Sequence, residues 1–132
     1  MSALGLLLIR LVFGLTFAAH GAQKLFGWFD GDGMDGTAKF FESVGLKPGR
    51  FHAALGGLGE LVGGLLLALG LWVPVAAVII TAVMVMAIIK VHLDKGYWST
   101  AGGWEYNLAI ITVAIGVALI GPGPYTVAAL FR

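Results

Sequence analysis

Four stretches of apolar residues, each nearly free of charge, follow one another along the chain. The longest uncharged run covers residues 61–89. Gly70-Leu71-Trp72-Val73-Pro74 divides this run, because Gly and Pro interrupt helices and Trp favours the membrane interface. About 20 residues, at a helical rise of ~1.5 Å each, cross a hydrocarbon core of about 30 Å. The pattern therefore predicts four membrane-spanning helices, over residues 4–24, 51–70, 73–92 and 105–121.

Two longer polar connections, 25–50 and 93–104, follow the first and the third predicted spans. An even number of spans places both connections on one side of the membrane and both termini on the other. Within the first connection, Asp35-Gly36-Thr37 precedes residues 38–44, a pattern typical of a short capped helix at the interface. We therefore predict a single all-α domain over residues 1–132: a transmembrane four-helix bundle with one short interfacial helix between its first two spans.

The composition supports a multi-pass protein of the cell membrane, in bacteria the inner membrane. Lys and Arg number 8 and Asp and Glu 7, so 11% of residues are charged, where a soluble domain carries about 25%. The net charge of +1 excludes the basic surface that a nucleic-acid partner requires. Cysteine is absent, which excludes disulfides and thiol chemistry. The first apolar run has Arg10 in its middle and no basic n-region, so we expect a mature span rather than a cleaved signal.

The first span carries a cation near each end of one helical face. Gly14, Phe17, Gly21 and Lys24 follow Arg10 at offsets of 4, 7, 11 and 14, and all lie within about 40° of one helical face at ~100° per residue. This stripe indicates a packing seam. For Arg10, snorkelling to the near surface or bonding to a carbonyl is the alternative to a functional role. For Lys24, an interfacial cation is the favoured interpretation.

Glu60 is the sharpest chemical signal in the sequence. It is the only acidic residue between Glu42 and Asp94, and Gly56 and Gly64 lie four residues before and after it. Small residues at that spacing allow a neighbouring helix to approach closely, so the carboxylate should point into protein rather than lipid. Proton transfer or ligand anchoring is the functional interpretation; a structural ion pair or a neutral acid bonded to a carbonyl is the alternative.

Three further polar residues lie at the loop-side ends of the spans: His20, His92 and Glu105. Helical side chains tilt toward the N-terminus of their helix, so His20 and His92 should reach inward while Glu60 leans back toward them. We predict that these four groups converge within side-chain or one-water reach, in preference to an Arg10–Glu60 pair. Taken alone, each His is better explained as an interfacial imidazole bonded to a carbonyl, and it is the convergence of four groups that favours a functional role.

The sequence offers little for a metal ion. The run from Asp30 to Asp35 is similar to the start of a calcium loop, but Phe41 stands where the bidentate Glu would be needed. A turn and helix cap is the better interpretation. The candidate His and carboxylate residues also lack the HExxH or i, i+4 His spacing of a preorganised site, so we predict no metal.

Five segments in a fixed order identify a family. The first is an apolar segment with an Arg (8–14), the second a His-Gly segment that ends in Phe-Gly (20–27), and the third a Gly-Thr-Ala segment with paired Phe (36–41). The fourth is Glu-Leu-Val-Gly-Gly (60–64), and the fifth is His92 together with Gly-Gly-Trp-Glu-Tyr-Asn-Leu (102–108). Together they make the chain similar, over nearly its full length, to the DoxX family of small integral membrane proteins. The resemblance implies a four-helix membrane fold. It suggests that Arg10, His20, Lys24, Glu60, His92, Glu105 and Asn107 match the family's polar positions.

These observations lead to two functional hypotheses. In the first, the chain is a subunit of a quinone-linked or other small-ligand redox system. Its proton-handling pocket consists of His20, Glu60, His92, Glu105 and Asn107, with Arg10, Lys24 and Lys90 as supporting polar groups. No side chain here cycles two electrons, so an external redox group is required, and a quinone is the candidate. In the second, the chain is a non-catalytic membrane scaffold subunit that docks a partner protein. The expected partners are the lipid bilayer, a redox protein and a second copy of the chain; whether the chain is itself an enzyme stays open.

Overall fold

The computed structural model describes residues 1–131 and consists of helices joined by short turns. Its five α-helices are α1 (Ser2–Phe26), α2 (Gly33–Ser43), α3 (Gly49–Leu69), α4 (Val73–Ala87) and α5 (Glu105–Ile120). α4 continues directly into a π-helical turn, Ile88–His92, and a 3₁₀ turn, Leu93–Lys95. Two more 3₁₀ segments cover Ser99–Ala101 and Ala128–Phe131. No strand occurs among the described residues, which confirms the all-α fold class.

Three of these helices are long and apolar enough to cross a membrane. They are α1, α3 and α4 with its extension, Val73–Lys95. α5 is a shorter apolar helix of 16 residues. The predicted all-α membrane fold, with four apolar helices and one short helix between the first two, is therefore confirmed, although α5 is shorter than a typical span.

The start of α2 differs from the prediction. The helix begins at Gly33, before Asp35-Gly36-Thr37, and its N-cap residue Asp32 makes no side-chain capping hydrogen bond. The chain instead reverses through left-handed backbone at Phe29 and Asp30, with φ of 55° and 63°. This reversal allows helical geometry to begin earlier than the sequence pattern indicated, so the predicted side-chain cap is wrong.

α1 and α3 pack antiparallel along a seam of glycines. A β-carbon on Gly14 would lie 2.6 Å from the carbonyl oxygen of Gly64, and one on Gly21 would lie 2.5 Å from that of Gly57. Real β-carbons do not approach backbone so closely, so only glycine permits this backbone contact. The stripe predicted on the first span is therefore the packing seam that the structure contains.

α3 occupies the centre of the bundle. It packs against α1 on one side and α4 on the other, α2 lies across its N-terminal half, and α5 packs on α4. The buried core lies mainly between α3, α4 and α5, where Leu67, Ile80 and Ala114 are fully enclosed. Side by side in the bundle, the four apolar helices therefore follow the order α1, α3, α4, α5. Grooves separate α1 from α5, and both of these helices line them.

Arg10 connects α1 to the chain segment that follows α5. Its guanidinium is 1% exposed and donates to the carbonyls of Leu67 and Ala68, each at 3.0 Å, and to those of Pro122 and Tyr125 at 2.8 and 2.9 Å. Both the N-terminal half of α1 and the segment after α5 therefore lie at the C-terminal end of α3. Arg10 therefore bonds backbone carbonyls, which the sequence analysis gave as the alternative to a functional role. It forms no ion pair with Glu60 in the part of the chain that the structure describes.

Candidate functional site

A cavity of about 320 Å³ lies between α1 and α5, with parts of its wall from α3 and α4. Most of its lining is apolar, and its polar residues come from three helices. They are Thr16 and His20 of α1, Glu60 of α3, and Tyr106 and Asn107 of α5. Four lining residues, Val12, Thr16, His20 and Tyr106, are exposed on the outer surface of the bundle, so the cavity opens sideways. An apolar cavity of this size with a few polar groups is the usual form of a small-ligand site.

Glu60 is paired with Lys24 in the wall of this cavity. The Lys24 ammonium contacts Oε1 of Glu60, and the two side chains are 28% and 5% exposed. Within residues 1–131, no other donor reaches Oε1. Two opposite charges in contact offset much of the cost of burying each one, whereas either alone would be strongly unfavourable. The pair therefore depends on both partners.

Lys24, for which an interfacial cation was the favoured interpretation, is not a free cation, because it pairs with Glu60. Lys24 lies one turn beyond His20, at the end of the glycine seam, where α1 and α3 are still close together. A β-carbon on Gly57 would lie 3.4 Å from the Lys24 β-carbon. The space that a side chain at Gly57 would need is occupied mainly by Leu25, whose Cγ would lie 2.7 Å from that β-carbon, and the base of Lys24 lies beside it. The glycine therefore permits the close approach of α1 that brings Lys24 near Glu60.

His20 and Asn107 lie on opposite walls of the cavity. His20 is exposed at the rim, whereas Asn107 is buried and donates from Nδ2 to the Met84 sulfur at 3.5 Å. A thioether is a weak acceptor, so this contact satisfies the amide only in part. His20, Glu60 and Asn107 thus line one cavity, as the sequence suggested.

His92 and Glu105 do not join this group. His92 hydrogen-bonds through Nδ1 to the Gly102 carbonyl at 2.7 Å, and Glu105 accepts from the backbone and hydroxyl of Ser99 at 3.1 and 3.0 Å. Neither residue lines the cavity. The predicted convergence of four groups is therefore not found. For His92, the π-helical turn Ile88–His92 takes more residues per turn than an α-helix and so changes the face on which this residue lies. Glu105, the first residue of α5, is held by Ser99 of the preceding loop.

The connection between α4 and α5 is a compact folded loop rather than part of the cavity. The Trp104 and Glu105 amides donate to the carbonyls of Gly96 and Tyr97 at 3.0 and 2.7 Å. The Tyr97 ring packs edge-on against Trp98 and Trp104, with centroids 4.9 and 4.8 Å apart. His92 and Glu105 therefore stabilise this loop. Lys90, predicted as a supporting group, is exposed on the π-helical turn and does not line the cavity.

Two polar cavity residues, Thr16 and Tyr106, were not predicted. Thr16 lies one helical turn before His20, and Tyr106 directly precedes Asn107. The i, i+4 spacing on α1 was a signal that could have found Thr16. No signal in the sequence singles out Tyr106 from the other aromatic residues near span ends. Within the described residues, no three His, Asp or Glu side chains lie close enough to hold a metal ion.

A second groove of about 590 Å³ lies between the same two helices and nearer the chain termini. Every described residue that lines it is apolar or glycine. They are Leu8, Ile9, Val12 and Phe13 of α1 and Val113, Gly116, Val117 and Ile120 of α5. Val12 and Phe13 also line the first cavity, so the two spaces adjoin.

Comparisons with known proteins identify the family of this fold and site. The DoxX family profile matches residues 5–93. A protein of Bacillus subtilis (strain 168) named "Putative oxidoreductase CatD" is 33% identical over 118 residues, which cover 89% of this chain and 80% of the relative. An uncharacterized membrane protein of Mycobacterium tuberculosis (strain ATCC 25618 / H37Rv), Rv3486, is also 33% identical, over 128 residues and 76% of its length. No solved structure matches the chain. The chain is a multi-pass membrane protein and belongs to the DoxX family.

Proposed function

We propose that the chain is the membrane subunit of a redox system and that its α1–α5 cavity binds a small redox ligand of the quinone class. One observation carries this proposal: the buried Glu60 carboxylate, paired with Lys24, lines a largely apolar, laterally open cavity of ligand size. Ionisable groups inside a membrane protein are costly and commonly mark ligand or proton sites. The name of the Bacillus subtilis relative, which includes the word oxidoreductase, is consistent with this class of function.

The cavity residues suit the chemistry of a quinone. Phe13, Phe17 and Ile110 offer apolar surfaces against which a flat ring can pack. Asn107 can donate to a ring carbonyl, and Lys24 supplies a positive charge that favours the negative charge gained on reduction. The polar groups therefore act on the ring oxygens, where charge and protons change.

Reduction of a quinone to the quinol takes up two electrons and two protons. A redox partner protein must supply both electrons, because no side chain of this chain cycles between two such states. Protons reach the ring from water through the exposed His20 at the rim and the Glu60 carboxylate behind it. In this proposal the chain binds the quinone and moves protons, and its partner moves electrons.

A scaffold subunit that docks a partner protein is the second candidate. It is favoured by the Lys24–Glu60 contact, which pairs both charges within the protein, and by His92 and Glu105, which stabilise a loop. On this view the cavity polar groups fix helix packing and exchange no protons with a ligand.

Infrared difference spectroscopy on the membrane-reconstituted chain distinguishes the two candidates. Adding a quinone should perturb a carboxyl band that is lost in Glu60→Gln and kept in Asp94→Asn, an exposed acid outside the cavity. His20→Gln, at the exposed rim, is a second test should Glu60→Gln fail to fold: it should slow proton uptake by the bound quinone. A silent carboxyl band together with quinone binding unchanged in both cavity variants would contradict the redox proposal.

A further inference from the structure

The two spaces between α1 and α5 form one continuous groove, which we call the α1–α5 groove. The polar cavity and the apolar groove share Val12 and Phe13 as lining residues. Its loop-side part contains His20, Glu60 and Asn107, whereas the described lining of the terminal-side part has no polar side chain. The groove therefore changes from polar to apolar along its length.

The apolar part is open enough to hold a chain-like group. Along α5 it extends from Val113 to Ile120, which is about 10 Å at the helical rise of ~1.5 Å per residue. Gly116 lies in its wall, and a β-carbon there would meet no atom within 4 Å. This contrasts with the α1–α3 seam, where a β-carbon on Gly14 or Gly21 would overlap the opposite backbone. Gly116 thus borders free space, and no neighbouring helix is packed against it.

We propose that the α1–α5 groove binds a quinone that carries an apolar tail, with the ring at the polar end and the first part of the tail in the apolar end. This inference rests on the proposed function and specifies its ligand class. A ring without a tail would occupy only the polar part, leaving about 590 Å³ of apolar groove unused. Within a bilayer the tail leaves lipid rather than water, so its contribution to affinity comes from van der Waals packing against the groove walls.

Charge in the groove favours a neutral ring over an anionic lipid head. A fatty-acid carboxylate at the polar end would lie beside the Glu60 carboxylate, and the Lys24 ammonium is already paired with that group. Like charges in a site of low polarity repel strongly. A quinone carbonyl instead accepts from Asn107 and brings no charge until it is reduced.

The test compares two quinones with the same ring, one with a methyl group and one with an isoprenoid tail, on the full chain in lipid nanodiscs. Binding is measured as displacement of a photoreactive ring quinone. The variant Gly116→Leu fills the apolar part of the groove. Gly5→Leu is the matched control, because Gly5 is also a helical glycine with free space around it but lines neither part of the groove. Circular dichroism and the thermal midpoint verify that both variants fold.

Gly116→Leu should weaken binding of the tailed quinone about tenfold and leave the tail-less ring within about twofold of the unmodified chain. Gly5→Leu should change neither. Two results would show that the tail assignment is wrong while the proposed function stands. In one, the tail-less ring binds but Gly116→Leu does not change the affinity of the tailed quinone. In the other, Gly116→Leu weakens the binding of both quinones equally. If neither quinone binds, both proposals fall. If palmitate displaces the probe as well as the tailed quinone does, the groove is a general lipid contact and the tail assignment is again wrong.

Discussion

Lys24 of α1 pairs with Glu60 of α3 at the loop-side end of the glycine seam that joins the two helices. Close backbone packing brings the bases of these side chains together, and Glu60 of the pair lines the cavity. Helix packing and site chemistry therefore depend on the same few residues.

Removing Lys24 alone should be strongly destabilising. Lys24→Met leaves the Glu60 carboxylate buried without its partner, which costs about 3–5 kcal/mol for such pairs. Thermal unfolding in detergent measures the loss. The double variant Lys24→Met with Glu60→Leu should recover most of it, because no buried charge then remains.

The exposed Arg50–Asp35 pair supplies the control for this prediction. Its side chains are 65% and 87% exposed, so Arg50→Met should cost only about 0–1 kcal/mol. Equal thermal midpoints for Lys24→Met and Arg50→Met would contradict the assigned burial of the Lys24–Glu60 pair.

Two adjacent glycines of α3 should respond differently to alanine. A β-carbon on Gly64 would lie 2.5 Å from the Ala18 backbone nitrogen, whereas one on Gly63 would lie 3.1 Å from a side-chain carbon of Ile80. A side chain can move aside more easily than backbone, so Gly64→Ala should lose about 1–3 kcal/mol through overpacking and Gly63→Ala less. Thermal midpoints of the two variants, measured side by side, check the order; the reverse order would exclude the proposed seam.

Arg10 should hold the segment after α5 in place. Arg10→Leu removes the donors to the carbonyls of Pro122 and Tyr125, so this segment should lose its attachment to α1. Hydrogen exchange at the Val127 amide, which donates to the Leu69 carbonyl at 3.0 Å, reports the loss. We expect faster exchange there and unchanged exchange in α2. Protection of Val127 equal to that of the unmodified chain would show that Arg10 does not fix the segment.

Both ends of the described chain should label from the same side of the membrane. The chain has no cysteine, so single cysteines at Ser2 and Thr126 can be labelled without background. Their side is shared because Arg10 and the segment after α5 meet at the C-terminal end of α3. An impermeant thiol reagent should modify both positions, or neither, in oriented vesicles. Modification of only one position would overturn the even number of crossings.

The packing of α1 on α3 was predictable, and the partners of several polar side chains were not. Gly14 and Gly21 stand out from sequence because a helical repeat places them on one face. The direction of His92 was missed because the π-helical turn interrupts that repeat. The partners of Arg10 are backbone carbonyls of residues far along the chain, and every residue type has a carbonyl, so no pattern of side chains can reveal them.

The two walls of the α1–α5 groove are the first and the last of the apolar helices in chain order. α1 and α3 can pair through their glycines as soon as α3 is in the membrane, but the groove has only one wall until α5 has also been inserted. Insertion of α5 is therefore the step that would complete the proposed binding site. A newly made chain should acquire the ability to retain a ligand only at the end of its membrane assembly.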